Sequence, residues 1–324
     1  MPHAILVRQA GGPDQLSWEE VEVGDPGPGQ VLLKQTAIGL NFIDIYHRSG
    51  LYQQTTPFIP GVEGAGVVES VGPDVEFLKA GDRVAYAGPI GGYSEVRLIA
   101  ADRLVKLPDD ISDEQAAAML LQGMTVDMLI RSVWPLHAGD TILIHAAAGG
   151  VGLIMCQWAS ALGATVIGAV SSDEKAELAR AHGCHHAIVY SKQDFVAEVV
   201  RLTEGKKLPV VYDSVGRDTF VRSLDCLQKR GLMVSFGQAS GPVEPFAPGL
   251  LAQKGSLYLT RPTLFDYVST REELERSAAS LFDAVRTGKV KVDIGQRFRL
   301  SEAAEAHRAL ESRKTVGSTI LAVD

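Results

Sequence analysis

The feature that most constrains the fold is a glycine-rich turn at residues 145–152, His-Ala-Ala-Ala-Gly-Gly-Val-Gly. An apolar run beginning at Asp140 precedes the turn, and a second apolar segment follows it. This order of strand, turn and helix occurs where parallel sheets bind dinucleotides. The usual spacing is G-x-G-x-x-G, and here Ala147 replaces the first glycine while Gly149 and Gly152 remain.

Each small residue of the turn has a role in binding a diphosphate. The first amides of a helix have no partner within the helix, and together with the helix dipole they attract phosphate oxygens. Gly149 would let the backbone approach the diphosphate, Gly152 would let the helix pack on the strand, and Ala147 is small enough for the first position. The alternative is a turn that serves only helix packing, which needs fewer glycines. We therefore predict a bound dinucleotide.

The end of the second strand of this pattern indicates which dinucleotide binds. A site for NAD usually has an acidic residue there for the ribose 2′-hydroxyl. Here the strand runs into Ser171 and Ser172, with Lys175 one helical turn later, and hydroxyls with an ammonium group suit a 2′-phosphate. We predict NADPH, while Asp173 keeps NAD open as the alternative. Tyr190, at the end of the third strand, is placed to flank the adenosine.

Secondary-structure patterns change at about residue 112. Before it, short apolar runs separated by Gly, Pro and Asp predict an antiparallel barrel or sandwich. The capping box at 112–115 opens a helix that extends to about residue 133. Strands and helices then alternate, which predicts a parallel sheet with crossover helices. The predicted strands are 4–8, 31–37, 66–71, 83–87, 95–99, 141–145, 165–170, 187–190, 209–213, 231–236, 257–260 and 318–323, and the predicted later helices are 150–162, 173–182, 193–203, 218–229, 271–287 and 302–312.

The alternation of strands and helices stops near residue 262. Two helices and a final strand follow, and we expect this tail to return to the first domain. The prediction is an α/β protein in which a doubly wound Rossmann domain, residues 123–262, is inserted in a domain formed by residues 1–122 and 263–324.

Composition argues against several classes of function. The net charge of −8 disfavours nucleic-acid binding and attachment to anionic membranes, which both need a basic face. We find no run of about 18 apolar residues, and the N-terminal apolar stretch is too short for a signal peptide. Three cysteines give neither a disulfide framework nor a four-cysteine zinc lobe. We expect a cytoplasmic protein with no membrane insertion and no nucleic-acid partner.

The segment 182–186, His-Gly-Cys-His-His, has the composition of a metal site. It falls between a predicted helix and a predicted strand, where Gly183 suits the end of the helix. Structural zinc normally needs four converging ligands, so we predict no metal there.

Several motifs, in conserved order, resemble the medium-chain dehydrogenase/reductase superfamily. They are residues 61–72 (GVEGAGVVESVG), residues 80–84 (AGDRV) and the glycine turn with Gln157. Residues 41–46, 48–52, 211–216 and 230–237 are most similar to its zeta-crystallin-like group, the zinc-free NADPH:quinone oxidoreductases. The resemblance spans nearly the whole chain and implies a GroES-like antiparallel β-barrel for the first domain. Ser160 departs from the lysine or arginine that the group usually has there.

The resemblance also identifies what this chain lacks. Zinc-dependent members have a cysteine near position 41 and a Gly-His-Glu motif, where this chain has Asn41 and Val62. Glu63 remains, but one carboxylate does not make a catalytic zinc site, and we expect Glu63 to be structural, tied to the turn and strand that it opens. Alcohol oxidation is hard without a Lewis acid, whereas a quinone is already electrophilic and the nicotinamide carries the hydride or electrons. The implied reaction is NADPH-dependent reduction of a quinone in a cleft between the domains.

The resemblance further implies roles for residues outside the turn. Asn41 would lie beside the nicotinamide and position it. Tyr46 and Tyr52 would face the quinone, where a phenol can hydrogen-bond an oxygen or donate a proton; packing is the alternative role for both. Gly150 and Val151 would present their backbone to the diphosphate. Contacts with the cofactor are implied for Thr125, Ser214, Phe236, Gly237, Ser240 and Arg313, and a place on the substrate side is implied for Arg261.

Two other functions fit the same motifs. The first is NADPH-dependent reduction of an alkenal or enone double bond. The second is an NADPH-binding protein with structural or RNA-binding duties, which the negative charge disfavours. Relatives in the group usually pair through the last strand of the nucleotide domain, here residues 255–260, and an uncovered edge strand favours such pairing. We therefore expect a homodimer.

Overall fold

The computed structural model describes residues 1–323, which divide into two compact units. The first unit contains residues 1–124, 268–282 and the chain from 292 onward, and the second contains residues 125–267 and 283–291. Each unit is built around its own sheet.

The helices and strands follow one another in three stretches of the chain. The first contains β1 (His3–Val7), β2 (Leu16–Glu20), β3 (Gln30–Leu40), α1 (Phe42–Ser49), β4 (Glu63–Val71), β5 (Arg83–Ala87), β6 (Val96–Ala100), β7 (Val105–Lys106) and α2 (Asp113–Asp127). The second contains β8 (Thr141–His145), α3 (Gly150–Ala161), β9 (Thr165–Val170), α4 (Asp173–Ala181), β10 (His186–Val189), α5 (Phe195–Leu202), β11 (Leu208–Asp213), α6 (Phe220–Ser223), β12 (Leu227–Ser235), α7 (Gly249–Gln253), β13 (Tyr258–Thr260) and α8 (Leu264–Tyr267). The third contains α9 (Arg271–Arg286), β14 (Ile294–Arg299), α10 (Ala303–Glu311) and β15 (Ser318–Ala322).

The second unit contains a six-stranded sheet with the order β10-β9-β8-β11-β12-β13. Its paired strands run parallel. Numbered within the unit, this is the order 3-2-1-4-5-6 of the doubly wound dinucleotide fold. Ile142, Leu143 and Ile144 of β8 are all fully buried, as expected for a strand covered on both faces. The predicted Rossmann sheet is confirmed.

The first unit contains a seven-stranded sheet with the order β14-β15-β3-β4-β5-β7, and β6 also pairs with β3. Every pairing in it is antiparallel except that of β14 with β15. Alternate residues of β3, such as Val31 and Leu33, are buried in one core with Val68 and Val84. This alternation is typical of an antiparallel sheet with one face on the core, and the predicted antiparallel class is confirmed.

The predicted helix at 218–229 is wrong in its second half. The α-helix covers only Phe220–Ser223, a 3-10 turn follows at Leu224–Cys226, and β12 begins at Leu227. Phe220, Leu224 and Leu227 are buried at helical spacing, which explains the error. Leu227 instead pairs with Leu208 of β11, so sheet pairing overrides the local periodicity.

Four elements of the first unit were not predicted: β2, α1, β14 and the two-residue strand β7. In β2 and β14, exposed and half-buried residues alternate with few buried ones, so neither strand has a clear apolar pattern. The helix α1 begins after Asn41, whose backbone N–H donates to the Asp44 carboxylate at 2.9 Å. The helix ends at Gly50, which is in the left-handed conformation (φ 83°). The sequence therefore indicates this helix only through its capping residues.

One helical segment, Asp113–Val133, is long and apolar enough to cross a membrane by length and composition alone. However, 72% of its most apolar window is buried inside the protein. Buried core helices pass the same test, so this segment is weak evidence for a membrane span. Its last part, Met128–Val133, is wound more widely as a π-helix.

Candidate functional site

The glycine turn lies between β8 and α3, at the carboxyl edge of the parallel sheet. Ala146 adopts a left-handed conformation (φ 54°), which is uncommon for a residue with a side chain. Gly149 is the N-cap of α3 and provides no side-chain cap, so the first amides of the helix receive no acceptor from it. Backbone amides at such a helix start are the groups that hold a diphosphate.

The two remaining glycines of the turn differ in the space around them. A Cβ on Gly152 would lie 2.3 Å from the Ala146 carbonyl oxygen and 2.7 Å from Ala147 Cα, so no side chain fits. A Cβ on Gly149 would have one neighbour within 4 Å, the same carbonyl oxygen at 3.3 Å. Gly152 therefore keeps α3 against the turn, whereas Gly149 leaves open space at the helix start.

The alanine in the first glycine position is accommodated by a glycine on the neighbouring strand. Ala147 is fully buried and its amide donates to the Ala169 carbonyl of β9 at 3.2 Å. A Cβ on Gly168 of β9 would lie 2.7 Å from the Ala147 Cβ. The missing side chain of Gly168 thus makes room for the methyl group of Ala147. The turn is intact despite its altered motif.

The residues predicted to bind a 2′-phosphate follow β9 directly. Ser172 is the N-cap of α4, and its hydroxyl oxygen accepts from the Lys175 amide at 3.4 Å. The hydroxyl of Ser191, after β10, donates to the Ser171 carbonyl at 3.0 Å. These residues are brought together at the positive end of α4, which favours an anionic group.

Asp173, the acidic residue that could bind the ribose hydroxyl of NAD instead, already has a basic partner. The exposed carboxylate of Asp173 forms an ion pair with Lys192. The ammonium group of Lys192 therefore neutralises the carboxylate that would have to accept a hydrogen bond from the ribose of NAD. This arrangement favours a 2′-phosphate over a 2′-hydroxyl. Tyr190, whose amide donates to the Val170 carbonyl at 3.0 Å, is 45% exposed at the same edge.

The loop after β11 is organised by a buried carboxylate, Asp213. It accepts from the amides of Val215 and Gly216 at 2.8 and 3.1 Å, and from the hydroxyls of Thr219 and Ser223. Four donors on one carboxylate fix the path of this loop. The predicted residue Ser214 follows Asp213 directly and is half-buried.

The loop after β12 packs closely on the loop after β11. A Cβ on Gly237 would lie 2.6 Å from the Ser214 carbonyl oxygen, so glycine is required there. The Ser240 hydroxyl donates to the Val215 carbonyl at 2.8 Å and accepts from the Asp218 amide at 3.0 Å. Its side chain therefore joins the two loops, and its proposed cofactor contact stays a prediction.

The remaining predicted residues of the second unit lie at other positions of the sheet edge or helix. Phe236 follows β12 and is half-buried, Arg261 follows β13 and is exposed, and Thr125 is a half-buried residue of α2. Gly150 and Val151 form the first turn of α3 and are half-buried.

In the first unit, Asn41 is held by hydrogen bonds on two sides of its amide group. Its Nδ2 donates to Glu63 Oε2 at 2.7 Å, and its Oδ1 accepts from Gln122 Nε2 at 3.3 Å. Gln122 Oε1 in turn accepts from the Ser318 hydroxyl at 2.7 Å. Glu63 Oε1 accepts from the Leu121 amide of α2 at 2.7 Å. The expected structural role of Glu63 therefore extends beyond its own strand.

A second buried chain holds the backbone of Asn41. Asp44 Oδ2 accepts from the Asn41 amide and from the Tyr93 hydroxyl at 2.9 and 3.0 Å. The Tyr93 oxygen lies 3.0 Å from His307 Nε2, and His307 Nδ1 lies 3.0 Å from Arg48 Nη1. Because guanidinium only donates, the His307 Nδ1 accepts and its Nε2 carries the proton.

Burial shifts the pKa values of both acidic groups in these chains. It raises the pKa of Asp44 to about 7 and that of Glu63 to about 8, against the hydrogen bonds that favour their ionised forms. Burial, with the Arg48 charge, lowers the pKa of His307 to about 3, which agrees with a neutral ring. Two carboxyl groups with raised pKa values contact Asn41, and such perturbed groups are typical of functional sites.

The two predicted tyrosines are brought together. Tyr46 is 8% exposed on α1, and the Tyr52 amide donates to its carbonyl at 2.9 Å. Their ring centroids lie 5.2 Å apart in an edge-on arrangement, so part of each ring serves packing, the alternative weighed from sequence. Arg313 is exposed two residues beyond the end of α10, in the left-handed conformation (φ 58°).

The residues of this chain do not fit a zinc centre. Residues 1–323 contain no group of three or more His, Cys, Asp or Glu side chains that could hold a metal ion. In the histidine-rich segment, His182 Nδ1 lies 2.8 Å from the Leu178 carbonyl oxygen, and His185 Nδ1 accepts from the Val166 amide at 3.0 Å. These histidines are used in local backbone contacts.

Comparisons with known proteins agree with this architecture. The family model described as "Alcohol dehydrogenase GroES-like domain" matches residues 27–109, and that described as "Zinc-binding dehydrogenase" matches residues 150–282. A quinone oxidoreductase of Pseudomonas aeruginosa is 55% identical over 99% of both chains. A 2-haloacrylate reductase of a Burkholderia species is 48% identical over the same shares. The crystal structure of Escherichia coli quinone oxidoreductase complexed with NADPH matches with a TM-score of 0.97 and 49% identity over 99% of both chains.

These matches, together with the 3-2-1-4-5-6 sheet and the antiparallel sheet of the first unit, define a medium-chain dehydrogenase/reductase. Within that superfamily, the chain belongs to the quinone oxidoreductases. The family predicted from the motifs is confirmed.

Several residues that shape the candidate site were not predicted from the sequence. Gly168 could have been found, since a glycine inside a strand often marks a close approach by another chain segment. Asp213 could also have been suspected, because it ends a strand and precedes Ser-Val-Gly. No local signal points to Gln122 or Ser318, which meet Asn41 only through the fold.

Proposed function

We propose that this protein reduces quinones with NADPH. The observation that carries the proposal is the intact phosphate turn, with Ala147 accommodated by Gly168, in a chain so similar to an NADPH-bound quinone oxidoreductase. NADPH supplies the hydride or electrons. The protein has to hold the cofactor, orient it and provide hydrogen bonds to the acceptor.

The second unit provides the groups that hold the cofactor. The first-turn amides of α3, from Gly150 to Gly152, bind the diphosphate with help from the helix dipole. The hydroxyls of Ser171 and Ser172 with the ammonium group of Lys175 bind the 2′-phosphate. Tyr190 flanks the adenosine, and Thr125, Ser214, Phe236, Gly237, Ser240 and Arg313 supply further contacts.

The first unit provides the groups that act near the reacting rings. The side-chain amide of Asn41 is held by Glu63 and Gln122, so it is a preorganised donor beside the nicotinamide. Tyr46 and Tyr52 hydrogen-bond the oxygens of the quinone, and Arg261 of the second unit acts on the substrate side. No metal takes part, because Asn41 and Val62 stand where the zinc-dependent members have ligands.

The test is a comparison of acceptors with purified protein. We expect NADPH-dependent turnover of 1,4-benzoquinone, with kcat/KM higher than for a 2-alkenal. When NADH replaces NADPH as the electron donor, we expect a higher KM for the dinucleotide. Equal or better turnover of the alkenal would contradict the quinone assignment.

Reduction of an activated double bond is the second candidate. It is favoured by the 48% identity to a 2-haloacrylate reductase over nearly the whole chain. Both reactions deliver a hydride to an electrophile conjugated with an electron-withdrawing group. Turnover of 2-chloroacrylate at a rate that matches or exceeds that of 1,4-benzoquinone would favour this reading.

We further propose a cytoplasmic homodimer, with domain boundaries at 122/123 and 262/263. The three cysteines are free, which suits a reducing compartment. The strand β13 is an edge of its sheet, with Tyr258 62% and Leu259 38% exposed, and such an edge favours pairing with a second copy. Light scattering after size exclusion is expected to give the mass of a dimer, and the Leu259→Lys variant that of a monomer.

The net charge of −8 supports the absence of an RNA or membrane partner.

A further inference from the structure

Four side chains of the first unit form a hydrogen-bond chain in which every donor points the same way. The Ser318 hydroxyl donates to Gln122, Gln122 donates to Asn41, and Asn41 donates to Glu63, at 2.7, 3.3 and 2.7 Å. All four residues are less than about a tenth exposed. At a pH above the pKa of Glu63, the order of donors is set by the end of the chain, because an ionised carboxylate can only accept.

The position of the Glu63 carboxylate is itself closely fixed. Its other oxygen accepts from the Leu121 backbone amide at 2.7 Å, a donor that cannot change direction. A Cβ on Gly39 would lie 2.4 Å from Glu63 Oε2, so only glycine leaves room for the carboxylate at that place. The geometry therefore presents one fixed acceptor to the nitrogen of the Asn41 amide.

We propose that Glu63 is a positioning residue: it directs the hydrogen-bond chain so that the Asn41 amide nitrogen faces Glu63 and its second N–H is available to a carbonyl oxygen of a bound reactant. The inference rests on the proposed function, in which Asn41 acts beside the nicotinamide. The carbonyl oxygen belongs either to the nicotinamide carboxamide or to the quinone. If the amide were reversed, Asn41 would present an oxygen at that place and would repel the carbonyl.

Two changes at Glu63 are expected to reverse the chain. A protonated Glu63 gains a donor, and burial raises the pKa of Glu63 to about 8, with Asp44 adding a charge of the same sign. Tyr86, a neutral phenol with a raised pKa, also lies within electrostatic reach. The Glu63→Gln variant makes the same change permanently: its oxygen must face the Leu121 amide, so its amino group must face Asn41.

The chain offers a direct way to observe the Asn41 amide, because Asn41 is its only asparagine. Protein made with asparagine labelled with 15N in the side chain gives one pair of N–H signals in an NMR spectrum. At a pH above the pKa of Glu63, we expect one N–H signal of the wild type to be strongly shifted by the carboxylate, and that shift to be absent in Glu63→Gln. It should also disappear in the wild type as the pH falls through the pKa of Glu63. The control variant Glu305→Gln alters an exposed carboxylate of α10 and should leave both signals unchanged.

Ligand additions to the labelled protein identify the carbonyl oxygen. A change in the second N–H signal on adding NADPH alone assigns it to the nicotinamide carboxamide. A change only when 1,4-benzoquinone is added with NADP+ assigns it to the quinone. No change with either addition would overturn the inference that this N–H is a donor to a reactant.

Kinetics provide the second readout. At a pH above the pKa of Glu63, we expect kcat of Glu63→Gln to be about tenfold below that of the wild type, the change for one lost oriented hydrogen bond, while the Kd of NADPH changes less than about threefold because the phosphate contacts persist. Because an ionised Glu63 holds the Asn41 amide in this orientation, we expect the kcat of the wild type to rise as the pH rises through the pKa of Glu63, and this rise should be absent in the variant. If Glu63→Gln does not fold, the Ser318→Ala variant replaces it in this test. This variant removes the first donor of the chain, and we expect its kcat to be about threefold lower than that of the wild type.

The outcomes separate this inference from the proposed function. Unchanged N–H signals and an unchanged kcat in Glu63→Gln would overturn the positioning role while quinone reduction by the wild type stood. If the wild type did not reduce quinones, the proposed function would fail, and the N–H signals would still decide whether Glu63 directs the amide.

Discussion

The two glycines of the phosphate turn are expected to fail in different ways when each is replaced by alanine. In Gly152→Ala the new Cβ would lie 2.3 Å from the Ala146 carbonyl oxygen and 2.7 Å from two backbone atoms of Ala147. Backbone cannot move aside as a flexible side chain can, so α3 has to shift. We estimate a cost of about 3 kcal/mol for this overpacking, which corresponds to a fall in Tm of about 6–12 °C.

In Gly149→Ala the new Cβ would meet only the Ala146 carbonyl oxygen, at 3.3 Å. The residue has an extended backbone (φ −83°, ψ 174°) that alanine adopts readily, so the loss of stability is expected to stay below about 1 kcal/mol. The methyl group would occupy the open space at the helix start, where the diphosphate has to approach. We expect the Kd of NADPH to rise about tenfold or more, as when a charge-assisted hydrogen bond is lost.

The assays are thermal unfolding without ligand and calorimetric titration with NADPH, both on the wild type and the two variants. We expect Gly152→Ala to lose much more stability than Gly149→Ala, and Gly149→Ala to lose affinity for NADPH while keeping its Tm. Equal losses of Tm in the two variants would refute the steric argument. An unchanged Kd in Gly149→Ala would refute the placement of the diphosphate.

Three further predictions concern stability. Gly168→Ala, whose Cβ would lie 2.7 Å from that of Ala147, should cost about 1–3 kcal/mol in urea unfolding; no loss would disprove the compensation for the missing glycine. Asp213→Ala removes the acceptor of four donors and should cost at least about 2 kcal/mol, with increased hydrogen exchange in the following loop; unchanged exchange would argue against its role. Asp44 and Glu63 bind protons more tightly in the folded state, with pKa values near 7 and 8, so their contribution is complete below about pH 4 and is lost as the pH rises through these values. The Tm should fall between about pH 4 and about pH 8 and level off above that, and a flat or rising curve over this range would contradict the burial of these groups.

The architecture of the second unit was predictable from local signals. Strands such as β8 and β9 are continuous apolar runs, and their alternation with helices leaves few possible topologies. The predicted helix at 218–229 was wrong in its second half because Phe220, Leu224 and Leu227 are buried at helical spacing, although β12 begins at Leu227. Only the pairing with β11 decides between helix and strand. In the first unit, β2 and β14 were missed because they bury too little apolar surface to produce a pattern.

The candidate site was predictable to a different degree in its two parts. The phosphate turn and the Ser171–Lys175 segment are continuous in sequence, so their chemistry can be read directly from the residue types. The setting of Asn41 depends on Glu63, Gln122 and Ser318, which are far apart in the chain and meet only when the first unit folds. A motif can name such a residue, but the groups that orient it come from tertiary structure.

We propose that the carboxyl edge of the parallel sheet binds NADPH, with Lys175 at the 2′-phosphate. The most direct test is a calorimetric titration of NADPH and of NADH into the wild type and into Lys175→Ala. We predict that the variant binds NADPH about tenfold to a hundredfold more weakly, as expected for one charge-assisted contact, and binds NADH with unchanged affinity. Equal affinities of the variant and the wild type for NADPH, or equal losses for both dinucleotides, would contradict this role of Lys175.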